Sequence, residues 1–223
     1  MSAPLRLVLF DVDGTLVDSQ GSIVAAMTAS FDALSLPVPE REAILSIVGL
    51  SLPNAMARLV PECTGADQRR LVEGYKQAYH AQRLEQGAAS SPLYPGARDT
   101  IEALHAVPEI LLGVATGKSQ RGLDALVEAH GLERYFVTRQ VADHHPSKPH
   151  PSMIETARGE TGVSASNTVM VGDTRFDMDM ARAAGVPSVG VTWGYHDRSA
   201  LDGATCLIET FDQLQGTLDT IWT

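Results

Sequence analysis

A handful of short apolar runs constrains this chain more than any other feature. Residues 5–10, 110–115, 168–172 and 188–191 are apolar in long stretches instead of alternating, the pattern of strands buried on both faces. Residues 206–208 form a weaker fifth run. Between them lie amphipathic stretches at 97–106, 120–130 and 151–162. Strand–helix alternation of this kind predicts an α/β fold, a parallel sheet with helices on both faces.

The alternation fails between residues 18 and 90, where only helical patterns occur. Ile23, Met27, Phe31 and Leu34 are spaced by 4, 4 and 3 residues, which makes one apolar helical face. Ser51, Leu52 and Pro53 open another helix, with Met56, Leu59 and Val60 turned inward. A longer helix covers residues 67–85 and stops at Gly87. Residues 88–96 are small, polar and punctuated by proline and glycine, as a linker is. The expectation is a core built from residues 1–17 and 91–223, with an all-helical unit, residues 18–90, inserted after the first strand. Its hinges would be residues 16–20 and 90–96.

Composition narrows the function. At 223 residues the chain is long enough for a substantial core. Its net charge of −10 argues against a nucleic-acid surface and against docking on anionic membrane. Cys63 and Cys206 form neither metal spacing nor a disulfide framework, which points to a reducing compartment. Residues 1–6 carry no charged-then-apolar export pattern, and no run is long enough to span a bilayer. A cytoplasmic protein is expected, with no nucleic-acid and no membrane partner.

Chemistry collects at the ends of the predicted strands. Asp11-Val12-Asp13-Gly14-Thr15-Leu16 follows the first run directly. Thr116 ends the second, and Gly172-Asp173-Thr174 closes the third. Ligands of open parallel sheets bind at this carboxyl edge. Asp11, Asp13, Asp173 and Asp177 would bring several negative charges together there. A like-charged pair 4 Å apart costs about 4 kcal/mol at an effective dielectric near 20. Such a gathering calls for a cation, and oxygen-only ligands favour Mg²⁺. The chain has three lysines, Lys76, Lys118 and Lys148, against fourteen arginines, and two of the three fall in the proposed site loops. A compact ammonium suits point contact with a phosphoryl group or carboxylate.

Other features carry structural readings. Thr174-Arg175-Phe176-Asp177 also fits a helix capping box. Asp18 and Ser19 suit the start of the first inserted helix. Gly117-Lys118-Ser119 lacks the upstream glycine of a nucleotide-binding P-loop. His144, His145 and His150 surround Lys148 without metal-ligand spacing and read as a solvated loop.

Asp11-Val12-Asp13-Gly14-Thr15-Leu16-Val17, Thr116, Lys148-Pro149 and Gly172-Asp173-Thr174-Arg175-Phe176-Asp177 resemble, in order, the four motifs of the haloacid dehalogenase-like hydrolase superfamily. The likeness covers essentially the whole chain and is nearest to phosphoglycolate-phosphatase-like enzymes. It implies a Rossmann-like core with a small helical cap, and roles for the motif residues. Asp11 would be the nucleophile, and Asp13 the general acid and base. Thr116, with backbone N–H groups of Val12, Asp13 and Gly117, would hold the phosphoryl oxygens, and Lys148 would offset their charge. Asp11, the backbone carbonyl of Asp13, and Asp173 would ligate Mg²⁺, supported by Asp177. Dehalogenases of the superfamily lack the second aspartate and need no metal, so Asp13 favours phosphate chemistry. A phosphomutase and a non-catalytic phospho-accepting signalling module are the alternatives. The expected partner is a small phosphomonoester, acted on by a monomer or homodimer.

Overall fold

A computed structural model describes residues 4–223. Residues 1–3, part of the expected core segment 1–17 and of the stretch read for export signals, lie outside the described residues. Six strands form one parallel sheet: β1 (Arg6–Phe10), β2 (Ile110–Thr116), β3 (Phe136–Val141), β4 (Thr168–Gly172), β5 (Ser188–Val191) and β6 (Cys206–Ile208). Their order is β3-β2-β1-β4-β5-β6, so the first strand lies inside the sheet. The pleat divides its side chains between two cores. Val8 and Phe10 pack with α5 (Ala97–His105), α6 (Gln120–Ala129) and α9 (Leu214–Ile221). Leu7 and Leu9 pack on the other face with α7 (Ser152–Thr161) and α8 (Arg175–Ala183). Both faces being covered explains why the run reads as apolar instead of alternating. The chain thus folds as a Rossmann-like α/β protein.

β3 is absent from the sequence expectations. It is an edge strand, paired only with β2, and along it buried Phe136 and Thr138 alternate with exposed Val137 and half-buried Arg139. One solvated face removes the continuous apolar signal that marks the interior strands.

Residues 18–90 contain α1 (Gln20–Asp32), α2 (Arg41–Leu45), α3 (Leu52–Leu59) and α4 (Gly65–Gln86). Ile23, Met27 and Phe31 of α1 meet Met56 of α3 and Leu71 of α4 in a cluster distinct from the two sheet cores. Ser51 takes the N-cap position of α3, and Pro53 stands in its first turn, as the sequence predicts. The two connections to the sheet run side by side. Val17 bridges antiparallel to Leu93, Tyr94 N–H donates to the Leu16 carbonyl at 2.9 Å, and Asp18 N–H donates to the Pro92 carbonyl at 2.8 Å.

Register sets the site. Phe10 stands level with Val114 on one side and Val171 on the other. Asp11, one residue on, and Thr116 and Asp173, two residues on, therefore emerge at one carboxyl edge.

Candidate active site

Asp11 is the first residue past β1 and is buried. Its Oδ1 accepts the Val12 N–H at 2.7 Å, so that backbone donor points at the carboxyl group. Lys148 Nζ lies 2.9 Å from Asp11 Oδ2 and 2.6 Å from Asp177 Oδ1, bridging two acids with no exposed side-chain surface of its own. The ammonium aligns its hydrogen bond on Asp177, and Asp11 Oδ2 is left buried without an aligned donor. Asp177 Oδ2 accepts from Thr174 N–H at 3.0 Å and from Thr174 Oγ1 at 2.7 Å. The Thr174–Asp177 capping box predicted from sequence therefore exists at the start of α8. The same carboxylate faces Lys148, so the cap and the charged cluster share one residue.

Asp173 is fully buried, its Oδ1 accepting Thr15 Oγ1 at 2.8 Å and its Oδ2 accepting Tyr195 N–H at 2.9 Å. Gly14 permits this packing. It turns at φ +79°, and a Cβ there would stand 2.1 Å from Asp173 Oδ2. Asp11, Asp173 and Asp177 each offer a carboxylate oxygen, all within 4.8 Å of one another. Three hard anionic oxygens, one lacking an aligned donor, suit a divalent cation of the Mg²⁺ or Ca²⁺ kind.

Crowding shows in the proton affinities. Burial pushes the Asp11 carboxyl up from 3.8 to about 7; Lys148 opposes that rise and the Asp177 charge adds to it. Asp173 is raised for the same reason, burial first and then the charges of Asp177 and Asp11. Burial would strip Lys148 of its proton, but Asp11 and Asp177 outweigh it and hold the ammonium charged. Ionised together, three carboxylates against one ammonium would leave an excess of negative charge in a dry place, and the raised proton affinities are the response to it.

Asp13 is held separately. Lys118 Nζ donates to both of its oxygens, at 2.8 and 2.9 Å, and Ser19 Oγ donates to Oδ1. Ser19 occupies the N-cap position of α1, yet its hydroxyl turns to Asp13 instead of capping. Tyr195 OH receives the Ser19 N–H at 2.8 Å and lies 3.0 Å from Ser19 Oγ. Lys118 also lies over the Tyr79 ring of α4, 4.9 Å from its centroid, so a side chain of the helical unit touches the cation that holds Asp13. Tyr79 and Tyr195 carry no motif by which sequence would find them. Lys118 is signalled only by the scarcity of lysine.

Thr116, buried at the end of β2, receives the Lys118 N–H on its hydroxyl at 3.3 Å. At Gly117 a Cβ would stand 2.6 Å from the Leu50 carbonyl oxygen, so the loop before α3 rests directly on this strand end. Ser51 N–H donates to Ser147 Oγ at 2.8 Å beside it. A cavity of about 500 Å³ lies between the helical unit and the sheet edge, lined by Asp11, Asp13, Thr116, Gly117 and Lys118 on one side and by α1, α4, the 47–51 loop and the start of α3 on the other. Of the histidines near Lys148, His145 hydrogen-bonds Gln140 and Ser152, while His144 and His150 are exposed. They form no cluster with the acids.

Residues 8–191 match the family model described as haloacid dehalogenase-like hydrolase. Over 216 residues, 94% of this chain and 92% of the relative, the sequence is 37% identical to "Probable phosphatase IndB" of Dickeya dadantii (strain 3937). It is 31% identical over 219 residues to the phosphoglycolate phosphatase of Escherichia coli (strain K12), covering 89% of this chain and 85% of that one. Among solved structures, a hydrolase from Pseudomonas syringae superposes with a TM-score of 0.85 at 26% identity, covering 98% of this chain and 100% of the other. The chain belongs to the haloacid dehalogenase-like hydrolase family, on its phosphoglycolate-phosphatase-like side.

Proposed function

We propose that the chain is a Mg²⁺-dependent phosphatase that hydrolyses a small phosphomonoester through an aspartyl-phosphate on Asp11. The observation that carries this reading is the state of Asp11: a carboxylate at the sheet's carboxyl edge, beside a cavity, with one buried oxygen lacking an aligned donor. The relatives named as phosphatases supply the reaction class.

Bound by Asp11, Asp173 and the backbone carbonyl of Asp13, with Asp177 in support, Mg²⁺ would neutralise and polarise the phosphoryl oxygens. Asp11 attacks phosphorus in line. The phosphorus–oxygen ester bond breaks, and Asp13 delivers a proton to the leaving oxygen. Asp13 then takes a proton from water as the water attacks the phosphoryl group and frees Asp11. Thr116 Oγ1 and the N–H groups of Val12, Asp13 and Gly117 hold the phosphoryl oxygens, and Lys148 balances their charge. The uncatalysed reaction is so slow that positioning and charge stabilisation together lower the barrier by roughly 20 kcal/mol.

Residues 18–90 act as a cap that closes over the substrate and excludes water, with the leaving group read inside the cavity. The substrate is a small phosphomonoester, phosphoglycolate-like or related, with no nucleic-acid and no membrane partner; among the described residues no helix is long and apolar enough to cross a bilayer. Two unpaired cysteines fit a reducing cytoplasm. The enzyme works as a monomer or homodimer. The test is Asp11→Asn. It should abolish hydrolysis of p-nitrophenyl phosphate while the wild type needs Mg²⁺; retained activity, or turnover of a carbon–halogen substrate without Mg²⁺, rejects the assignment.

A further inference from the structure

One wall of the cavity carries cations that the phosphoryl chemistry does not use. His80 of α4 stands between two guanidinium groups: Arg83 Nη2 lies 2.9 Å from its Nδ1, and Arg121 Nη2 lies 2.8 Å from its Nε2. All three residues line the cavity. A guanidinium only donates, and a neutral imidazole has a single accepting nitrogen. One of the two contacts therefore sets a donor against a donor. A charged ring would set two donors against two. Among the described residues neither arginine has a carboxylate within ion-pair distance, and their only side-chain hydrogen-bond contacts are with this ring. In a chain of net charge −10, an unneutralised cationic group facing a cavity is a site prepared for an anion.

Its position says which anion. Tyr79 touches Lys118, which holds Asp13, the residue assigned to the leaving oxygen. Arg83 is four residues along α4 from Tyr79, a rise of about 6 Å. Arg121 is three residues along the chain from Lys118, in the first turn of α6. The two arginines thus stand on the elements that carry Tyr79 and Lys118 and line the same cavity as Asp13, and their donors face one ring.

We infer that Arg83 and Arg121, with His80 between them, bind a second anionic group on the leaving side of the substrate. The substrate class is a phosphomonoester whose alcohol carries a carboxylate or a further phosphate several bonds from the ester. This inference rests on the phosphatase reading above. Either anion would accept the donors now crowded on His80 and release the donor–donor contact.

Three esters of one chain length test it: butyl phosphate, the phosphate ester of 4-hydroxybutanoate, and butane-1,4-diol bisphosphate. The wild type should favour one anionic-tailed ester over butyl phosphate in kcat/KM by about tenfold or more, as charge-assisted hydrogen bonds are worth. Whichever ester leads identifies carboxylate or phosphate as the natural group. That ratio should fall towards one in the Arg83→Met, Arg121→Met double variant and survive in the double lysine variant. In the wild type alone it should also shrink as salt is raised, a readout that needs no variant. A merely structural role would lower all three esters together and leave the ratio intact, which overturns the inference. A wild-type ratio near one does the same, and leaves the phosphatase reading standing because butyl phosphate is still cleaved. Failure on all three esters and on p-nitrophenyl phosphate removes both readings.

Discussion

At the scale of single residues the site is a contest between burial and charge. The Asp11 carboxyl, raised from 3.8 to about 7, holds its proton in the folded metal-free protein across a pH range where the unfolded chain has released it. Folding then takes up a proton, so the stability of metal-free protein should fall as pH rises from about 4 to about 7 and change little above that. Denaturant unfolding in chelator at pH 5 and pH 7 should show this drop, with a smaller drop in Asp11→Asn. Added Mg²⁺ should stabilise more at pH 7 than at pH 5, because it binds the ionised form. Gly14 is the second residue on which the cluster turns. In Gly14→Ala the new Cβ has nowhere to go except through Asp173, so phosphatase activity should drop on the order of a hundredfold. An unchanged kcat would show that Asp173 can move without harm. Sequence made Asp11, Asp173 and Thr116 legible because strand ends advertise carboxylates and hydroxyls, and Lys148 legible because lysine is scarce in this chain. It could not show that Ser19 turns to Asp13, since that depends on Tyr195, 176 residues away.

Among the elements, α8 joins stability to chemistry most directly. Its capping threonine and its site carboxylate are partners, with Thr174 donating to Asp177 and Asp177 accepting from Lys148. Thr174→Ala should cost about 1 kcal/mol in denaturant unfolding, the ordinary value of a lost cap. It should also weaken Mg²⁺ binding measured by calorimetry, whereas Thr174→Ser should keep both. A cap without a site role would lose stability and leave the metal affinity untouched. Element by element, the interior strands were readable because both of their faces are covered. β3 was not, because its solvated face gives it the composition of a polar loop. Thr64, whose hydroxyl accepts the Asp67 N–H at 3.2 Å, starts α4 at Gly65, earlier than the periodicity of residues 67–85 suggests. Caps lie outside the apolar repeat and escape a search for it.

For the whole molecule, the question is how the helices of residues 18–90 and the sheet share one cavity. The helical unit has its own apolar cluster, to which the core loop after β5 contributes Tyr195. It is tethered by two adjacent strands of chain, and it rests on the core through Gly117 and the Ser51–Ser147 hydrogen bond. It also meets the core through polar side chains at the cavity rim, Tyr79 with Lys118, His80 with Arg121 and the Ser46 carbonyl with His196, contacts that can break singly as the helices rock about the paired tethers. Solution scattering with and without Mg²⁺ and orthovanadate should show a smaller radius of gyration in the bound form; identical profiles would mean a rigid cap. The helical content of residues 18–90 was legible from the missing strand patterns there. How these helices seat was not, because seating depends on backbone carbonyls such as that of Leu50, which no residue type encodes.

The interior position of β1 has a consequence for the making of this protein. Its two neighbours, Ile110–Thr116 and Thr168–Gly172, leave the ribosome roughly a hundred and more residues after it does. During that interval a nascent segment of Leu7, Val8, Leu9 and Phe10 waits with both edges unpaired, the condition that invites association with other chains. The helical insert is the first part able to condense, since its cluster draws almost wholly on residues 23–79. The strand that leads into Asp11 is thus among the earliest synthesised and among the last to be enclosed.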